Sequence, residues 1–460
     1  MIQQDFAAYV VSQRGTGLPE AVVAAARRVV VDWFAAALPG GTREPASLLA
    51  EALAEEIGTG DAMLLPSVRR APLRTAALIN GTAAHTLEVD DIYKDGLYHP
   101  GAPVIAAALA TAQARGASGA AFLTAVVAGY EVSNRIAVAV NPAHYAYWHT
   151  TATVGHFGAA AASAALLGLD VTQTAHALAT AATMAAGLQQ AFRGDAQTKP
   201  LHAGQAAANG TLAALAAGAG VTGAADMFEG PVGFGAAMGG APDWQAAVAD
   251  LGDVYTIADT TQKAHACCGH AHAAIDAVLE LRARRGLSAG DVERITIGTY
   301  SAALEITGNA DPGSVFECKF STPYCAAVAL VDGRVGEGAF APGRRGDPAV
   351  RSLVERIDMV VDAEAEAAFP RRRGATVEVE TNSGKRLATR CPTRKGDPDN
   401  PLSGDEINTK YRELADPILG QAASVRLLAA LWAIDGIADL ADLPLGPEQP
   451  APAARNAARN

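Results

Sequence analysis

Aromatic side chains are scarce in this 460-residue chain, at 5% of the total, and basic groups are outnumbered by acidic ones, 36 to 48. A formal net charge of −12 argues against a nucleic-acid surface and against docking on an anionic membrane, though a basic pocket for a small anion is still compatible with it. The cysteines number five, with Cys267 and Cys268 adjacent and Cys318, Cys325 and Cys391 scattered. An odd count with one neighbouring pair makes a poor disulfide framework, so a reducing cytoplasm is the expected compartment. The N-terminus, MIQQDFAAYVVSQRGTG, has no charged leader followed by an apolar run, so no secretory signal is expected. The most apolar window, Thr150 to Leu169, carries His156 and is mostly Ala, Gly, Ser and Thr. It reads as a buried helix, not a membrane span. Strand-like alternation is missing before about residue 255.

Alanine and glycine fill much of the remainder. Half of the residues are hydrophobic, which suits closely packed helices whose backbones approach each other. Helical periodicity runs through 18–38, 44–57, 71–88, 104–115, 119–138, 150–167, 172–186 and 203–219, separated by Gly, Pro or Asn. The texture then changes. VERITIGTY (292–300) alternates like a strand, and ATVEVETNSGKRLATR (375–390) reads as a hairpin turning at 382–384, with a further strand near 356–362. Helices are expected at 271–286, 321–332 and 347–357, and again at 403–416 and 420–436. The expected fold is mainly α. A large all-helical domain is formed by 1–258 and 400–446, a smaller α+β lid spans 259–399, and a Pro/Ala-rich disordered tail covers 447–460.

Polar islands interrupt the alanine-rich helices. The first holds Glu88, Asp90, Asp91, Lys94 and His99 and leads through His99-Pro100-Gly101 into a new helix. Charges held between buried helices must be solvated, paired or used on a ligand, and a helix start offers free N–H groups to an anion. A second, Thr198-Lys199-Pro200-Leu201-His202, again precedes a helix, so a carboxylate could meet both a cation and helix N–H groups there. The third packs Lys263, His265, Cys267, Cys268, His270 and His272 into ten residues. Its spacing lacks C-x-x-C and H-x-x-x-H, so zinc is disfavoured. The cysteines are too dispersed for an iron–sulfur cluster, and an adjacent pair makes a strained redox bridge. Acid–base use is preferred, with Lys263 holding a carboxylate and a nearby histidine titrating close to neutrality. Capping of the following helix is the plainer role for His270 and His272. Tyr324, in KFSTPYC, could donate a proton or fill a core. His149, in YWHTT, opens another helix.

Taken together, EVDD…HPGAPVIAAALA, WHTTATVGHFGAAAA, KPLHAGQAAANGTLAALA, the Lys/Cys/His segment ending HAAIDA, KFSTPYCAAVALVDG and GDPDNPLSGDEINTKY resemble the MmgE/PrpD family from about residue 5 to 440. That family includes 2-methylcitrate dehydratase, cis-aconitate decarboxylase and iminodisuccinate epimerase. The resemblance implies a large helical domain, a smaller α+β lid, a homodimer and no metal or other cofactor. It places Glu88, Asp90 and Asp91 on the acidic motif, and His99, His149, Lys199, Lys263 and Tyr324 on positions lining the active site. Two departures stand out. Ile92 and Lys94 replace a Thr and a His that often follow the acidic pair, and Cys268 replaces a histidine that is catalytic in the decarboxylase.

The implied chemistry forms a carbanion next to a carboxylate. Lys199 and Lys263 would hold the carboxylates of a small di- or tricarboxylate, because charge there grows in the transition state. His99 or His149 would move the proton, and Tyr324 would donate to a leaving hydroxyl or an enolate. Glu88, Asp90 and Asp91 would orient His99 and Lys94, and His202, Cys268, His270 and His272 would line the substrate. The departure at Cys268 speaks against decarboxylation, so a 2-methylcitrate dehydratase-like hydro-lyase is the first expectation. An epimerase or isomerase, a decarboxylase, and a carboxylate-binding module without turnover are the alternatives.

Overall fold

The structure, a computed structural model, describes residues 1–192 and 196–445. The expected disordered tail lies outside the described residues. Helices begin and end where local chemistry dictates. Ser118 Oγ accepts from the Ala121 N–H (3.3 Å) to start Gly119–Val140, and Asp170 with Gln173 forms a reciprocal capping box on Val171–Met184. Thr150–Leu167 stops at Gly168, whose φ of +70° suits a residue without a Cβ.

One hydrophobic core collects residues from 2–257 together with residues from 402–445. Its centre is four helices, Leu73–Thr86, Gly101–Arg115, Thr150–Leu167 and Thr198–Gly218. They meet almost backbone to backbone. A Cβ on Gly81 would lie 2.9 Å from Gly204 Cα, and one on Gly204 would lie 2.1 Å from the Leu78 carbonyl oxygen. That is why alanine and glycine replace aromatic filling here. Gly119–Val140 is the one described helix long and apolar enough to cross a membrane, and 83% of its apolar window is buried within the protein.

A second core joins residues from 266–379 with Ala36, Leu87 and Val89. It covers a four-stranded sheet. Two short strands, β1 (Ala62–Met63) and β2 (Arg70–Ala71), form a separate antiparallel ladder in the helical part. The main sheet consists of β3 (Val292–Thr299), β4 (Ile357–Val361), β5 (Ala375–Thr381) and β6 (Arg386–Cys391), in the order β4-β3-β5-β6. β3 and β4 are parallel, Ile295 opposite Ile357, and the rest is antiparallel, with Ile297 opposite Val377. β5 alternates buried Val377 and Val379 with more exposed Glu378 and Glu380, the period-2 pattern read from the sequence.

The mainly helical architecture with a smaller α+β part is as expected. Three local features differ. β1 and β2 are two residues each, too short to show an alternating pattern. Ile2–Ser12 is an additional helix at the N-terminus. The helix expected from 203 begins at Thr198, because Pro200 fits a first turn where its missing N–H costs nothing. Lys199 and His202 therefore sit on the first turns of that helix, one step before the Gly81–Gly204 contact.

Candidate active site

Helix Leu73–Thr86 ends, and the chain passes through 87–91 before helix Gly101–Arg115 begins. Glu88 adopts φ +61°, a left-handed conformation that costs a non-glycine residue about 1–3 kcal/mol. Surrounding contacts hold it there. Its carboxylate accepts from Lys199 through Oε1 and lies 3.2 Å from Lys263 Nζ through Oε2, while Lys263 also donates to the Glu88 carbonyl (2.9 Å). Burial works against the Glu88 anion, but Lys199 and Lys263 outweigh it and hold the carboxyl well below the usual range. Lys263 is itself pushed up, because the attraction of Glu88 and Asp90 exceeds the burial penalty. Lys199 Nζ also sits 5.7 Å from the centre of the Phe320 ring.

Two residues along, Asp90 Oδ2 is 2.6 Å from His85 Nδ1 and 3.3 Å from His99 Nδ1. These imidazoles overcome burial and keep Asp90 well below the carboxylate range. The His85 ring lies 4.8 Å from that of His99 and stacks at 5.6 Å on that of His149. His149 Nδ1 in turn is 3.1 Å from His202 Nδ1. Four imidazoles thus run in file from the Asp90 carboxylate, with two ammonium groups beside them. Burial lowers His99 to about 4, with Asp90 opposing, and it lowers His202 to about 4 with help from His85 and Lys199. His149 falls well below the usual imidazole range, mainly through burial, with His85 and Lys199 adding to it. At neutral pH these three rings are uncharged and can accept a proton.

The His85, Asp90 and His99 donor atoms lie within 4.8 Å of one another, a span that a divalent ion could bridge. However, the 2.6 Å contact between His85 Nδ1 and Asp90 is a hydrogen-bond distance, and the Lys263 charge already disfavours added positive charge at His99. The donor set is better suited to a proton.

The structure brings His99, His149, Lys199, Lys263, Glu88, Asp90 and His202 together and adds His85, which the sequence reading passed over. Its signal was an imidazole in the last turn of a helix, five residues before Asp90. Asp91 points the other way. It accepts from the Tyr130 hydroxyl (2.7 Å) and from the Gly101 N–H (3.0 Å), fastening the start of a helix. Burial, reinforced by Asp32 and Asp90, pushes Asp91 up to about 8 against the Tyr130 bond. Cys268 is buried near Lys263, and burial raises its thiol, so it is no ready thiolate.

Four expected site residues stand apart. Tyr324 lies in the second core, its hydroxyl donating to the Ala339 carbonyl (2.6 Å), and burial raises it further from proton donation. His270 bonds the Tyr300 hydroxyl (2.7 Å), and His272 reaches the Cys267 carbonyl (3.3 Å) and packs on His265. The Cys268 N–H bond to the Lys319 carbonyl turns this chain into the α+β unit before it can follow Lys263. The Tyr93–Tyr98 bridge reverses the chain and leaves Lys94 half-buried, where its charge acts on Asp259. A cavity of about 1000 Å³ is lined by Lys263, Val89, Glu337 and Lys410.

A buried pair of ammonium groups, a string of imidazoles and a helical core with an α+β companion together define the class. The chain belongs to the MmgE/PrpD family: residues 4–247 match the MmgE/PrpD N-terminal domain and residues 265–434 the MmgE/PrpD C-terminal domain. Among individual relatives it is 28% identical to the cis-aconitate decarboxylase-like protein oryM of Aspergillus oryzae, over 95% of both chains. It is 28% identical to human cis-aconitate decarboxylase over 100% of this chain and 98% of that one, and 25% identical to the Aspergillus terreus cis-aconitate decarboxylase over 80% of each.

Proposed function

We propose that this chain is a lyase for small di- or tricarboxylates, and that decarboxylation of a cis-aconitate-type acid is the reaction its site serves best. The observation that carries the reading is the convergence of Lys199 and Lys263 on one buried carboxylate, next to a line of buried imidazoles. A substrate carboxylate entering between the two ammonium groups would take up part of the role of Glu88. When the bond to CO₂ breaks, its electron pair stays on the substrate and spreads toward a remaining carboxylate. Fixed cations at that carboxylate stabilise this charge as it develops.

The imidazoles favour this direction. A ring held near 4 is a weak base toward a C–H bond, but once charged it is a strong proton donor toward a carbanion. A bound polyanion raises the proton affinity of His99 and His149, so the substrate recruits the proton that completes the reaction. The named decarboxylases among the relatives support the same choice. Cys268, standing where the resemblance would place a catalytic histidine, favours a second reading, dehydration of a 2-methylcitrate-type hydroxy acid.

Purified protein incubated in D₂O with cis-aconitate, citrate or 2-methylcitrate, followed by proton NMR, separates the readings. Decarboxylation predicts loss of cis-aconitate, release of CO₂ and one solvent deuterium in the product. Conversion of 2-methylcitrate without CO₂ selects dehydration. Absence of turnover and of carbon-bound deuterium with all three acids rules out both.

A further inference from the structure

Three successive peptide carbonyls beside the site are each held by a different lysine. Lys319 Nζ donates to Leu87 O (2.7 Å), Lys263 Nζ to Glu88 O (2.9 Å) and Lys410 Nζ to Val89 O (2.7 Å). The three come from distant parts of the chain: the short helix Val315–Lys319, the segment before the α+β unit, and the C-terminal helix Gly404–Leu419. Each ammonium also meets a carboxylate. Lys319 reaches Glu337 (3.0 Å), Lys263 reaches Glu88, and Lys410 reaches Asp32 (2.6 Å), which is fully buried.

The side chains of the same stretch face two ways. Leu87 and Val89 belong to the second hydrophobic core, while Glu88 and Asp90 carry the site. An apolar seam could be sealed by leucines alone. Burying ammonium groups is unfavourable unless each is well paired, so three of them on consecutive carbonyls mark a backbone whose exact path matters. The left-handed Glu88 is the centre of that path.

We infer that Lys319 and Lys410 are positioning residues. They fix the 87–89 backbone so that the Glu88 carboxylate spans Lys199 and Lys263 with the spacing a substrate carboxylate needs. Neither touches the imidazole file. Both act through the chain they hold. They also make the site depend on three parts of the molecule at once, the helical core, the α+β unit and the C-terminal helices. The inference rests on the carboxylate-lyase reading for its catalytic consequence, and on geometry alone for its structural one.

The test uses the full chain with Lys319→Met, Lys410→Met and the corresponding glutamine variants. Three quantities are read: amide hydrogen exchange in a peptide covering 86–91, citrate affinity by calorimetry, and steady-state kinetics. In the methionine variants exchange at 86–91 accelerates, while helix Gly101–Arg115 keeps its wild-type protection. Citrate affinity falls and KM rises in parallel by about tenfold, the loss of one charge-assisted hydrogen bond, with kcat changing less. A merely structural role would instead lower the active fraction and leave KM unchanged. The glutamine variants, which lose the charge but keep an N–H donor, fall between wild type and methionine. If a methionine variant does not fold, the glutamine variants decide, and wild-type citrate affinity in both overturns the inference. Unchanged exchange at 86–91 overturns it as well. If the wild-type protein neither binds citrate nor turns over any acid, the lyase reading fails by itself and the exchange measurement alone judges the lysines.

Discussion

His85 Nδ1 and Asp90 Oδ2 stand 2.6 Å apart, both shut away from solvent, and every other imidazole of the site is reached through this pair. Asp90 fixes which His85 nitrogen faces it and supplies the negative charge that a proton arriving in the file would seek. Asp90→Asn is expected to lower kcat by roughly two to four orders of magnitude with the fold intact. Lys199→Ala and His99→Ala are expected in the same range. Steady-state kinetics with circular dichroism as a folding control checks all three, and near-wild-type turnover in any one removes that residue from the mechanism.

Glu88 is the carboxylate that Lys199 and Lys263 share. Glu88→Gln leaves two buried ammonium groups without their shared counter-charge, which costs about 3–5 kcal/mol of stability. Added citrate should restore more stability to this variant than to the wild type, because a ligand carboxylate fills the gap. Urea unfolding with and without citrate measures both effects.

The buried imidazoles set the acid limit of the fold. His99 and His202 titrate at about 4 in the folded chain, and His149 also lies below its ordinary value. Between roughly 6.5 and 4 the unfolded chain binds protons that the folded chain refuses, so stability falls as the pH drops through this window. The depressed Glu88 and Asp90 act in the same direction at still lower pH, contributing stability that disappears as pH falls through their folded values. Replacing His149 with Gln should flatten the upper part of this decline, read as urea midpoints at pH 7, 6 and 5.

Asp91 behaves oppositely. Its folded value, about 8, lies above the ordinary carboxyl value, so its contribution is complete in acid and is lost as the pH climbs from about 4 through 8. Asp91→Asn carries no such loss. The variant should gain on the wild type between pH 5 and 9, and a constant difference across that range would disprove the assignment.

Much of this was legible in the sequence. Glu88, Asp90, His99, His149, Lys199 and Lys263 each sit at a polar break between apolar helices, and such breaks are visible without coordinates. What could not be read was direction. His270 and His272 follow Lys263 closely along the chain, yet they bond the Tyr300 hydroxyl and the Cys267 carbonyl. Tyr324 looked the same on paper whether it faced a ligand or the Ala339 carbonyl. Lys410 was hidden for a different reason. It lies on an amphipathic helix among Asn408, Thr409, Arg412 and Glu413, where a lysine ordinarily faces water. Only the return of that helix onto residue 89 gives it a role.

At position 204 a single methyl group would strike the Leu78 carbonyl oxygen at 2.1 Å. Lys199 stands on the same helix, little more than a turn before that contact, and Glu88 follows the helix that bears Leu78. The reach from ammonium to carboxylate is therefore gauged by an atom the chain leaves out. An alanine there, ordinary in so alanine-rich a protein, would push the two rods apart and open the charged grip from a distance, without altering any group that meets the ligand.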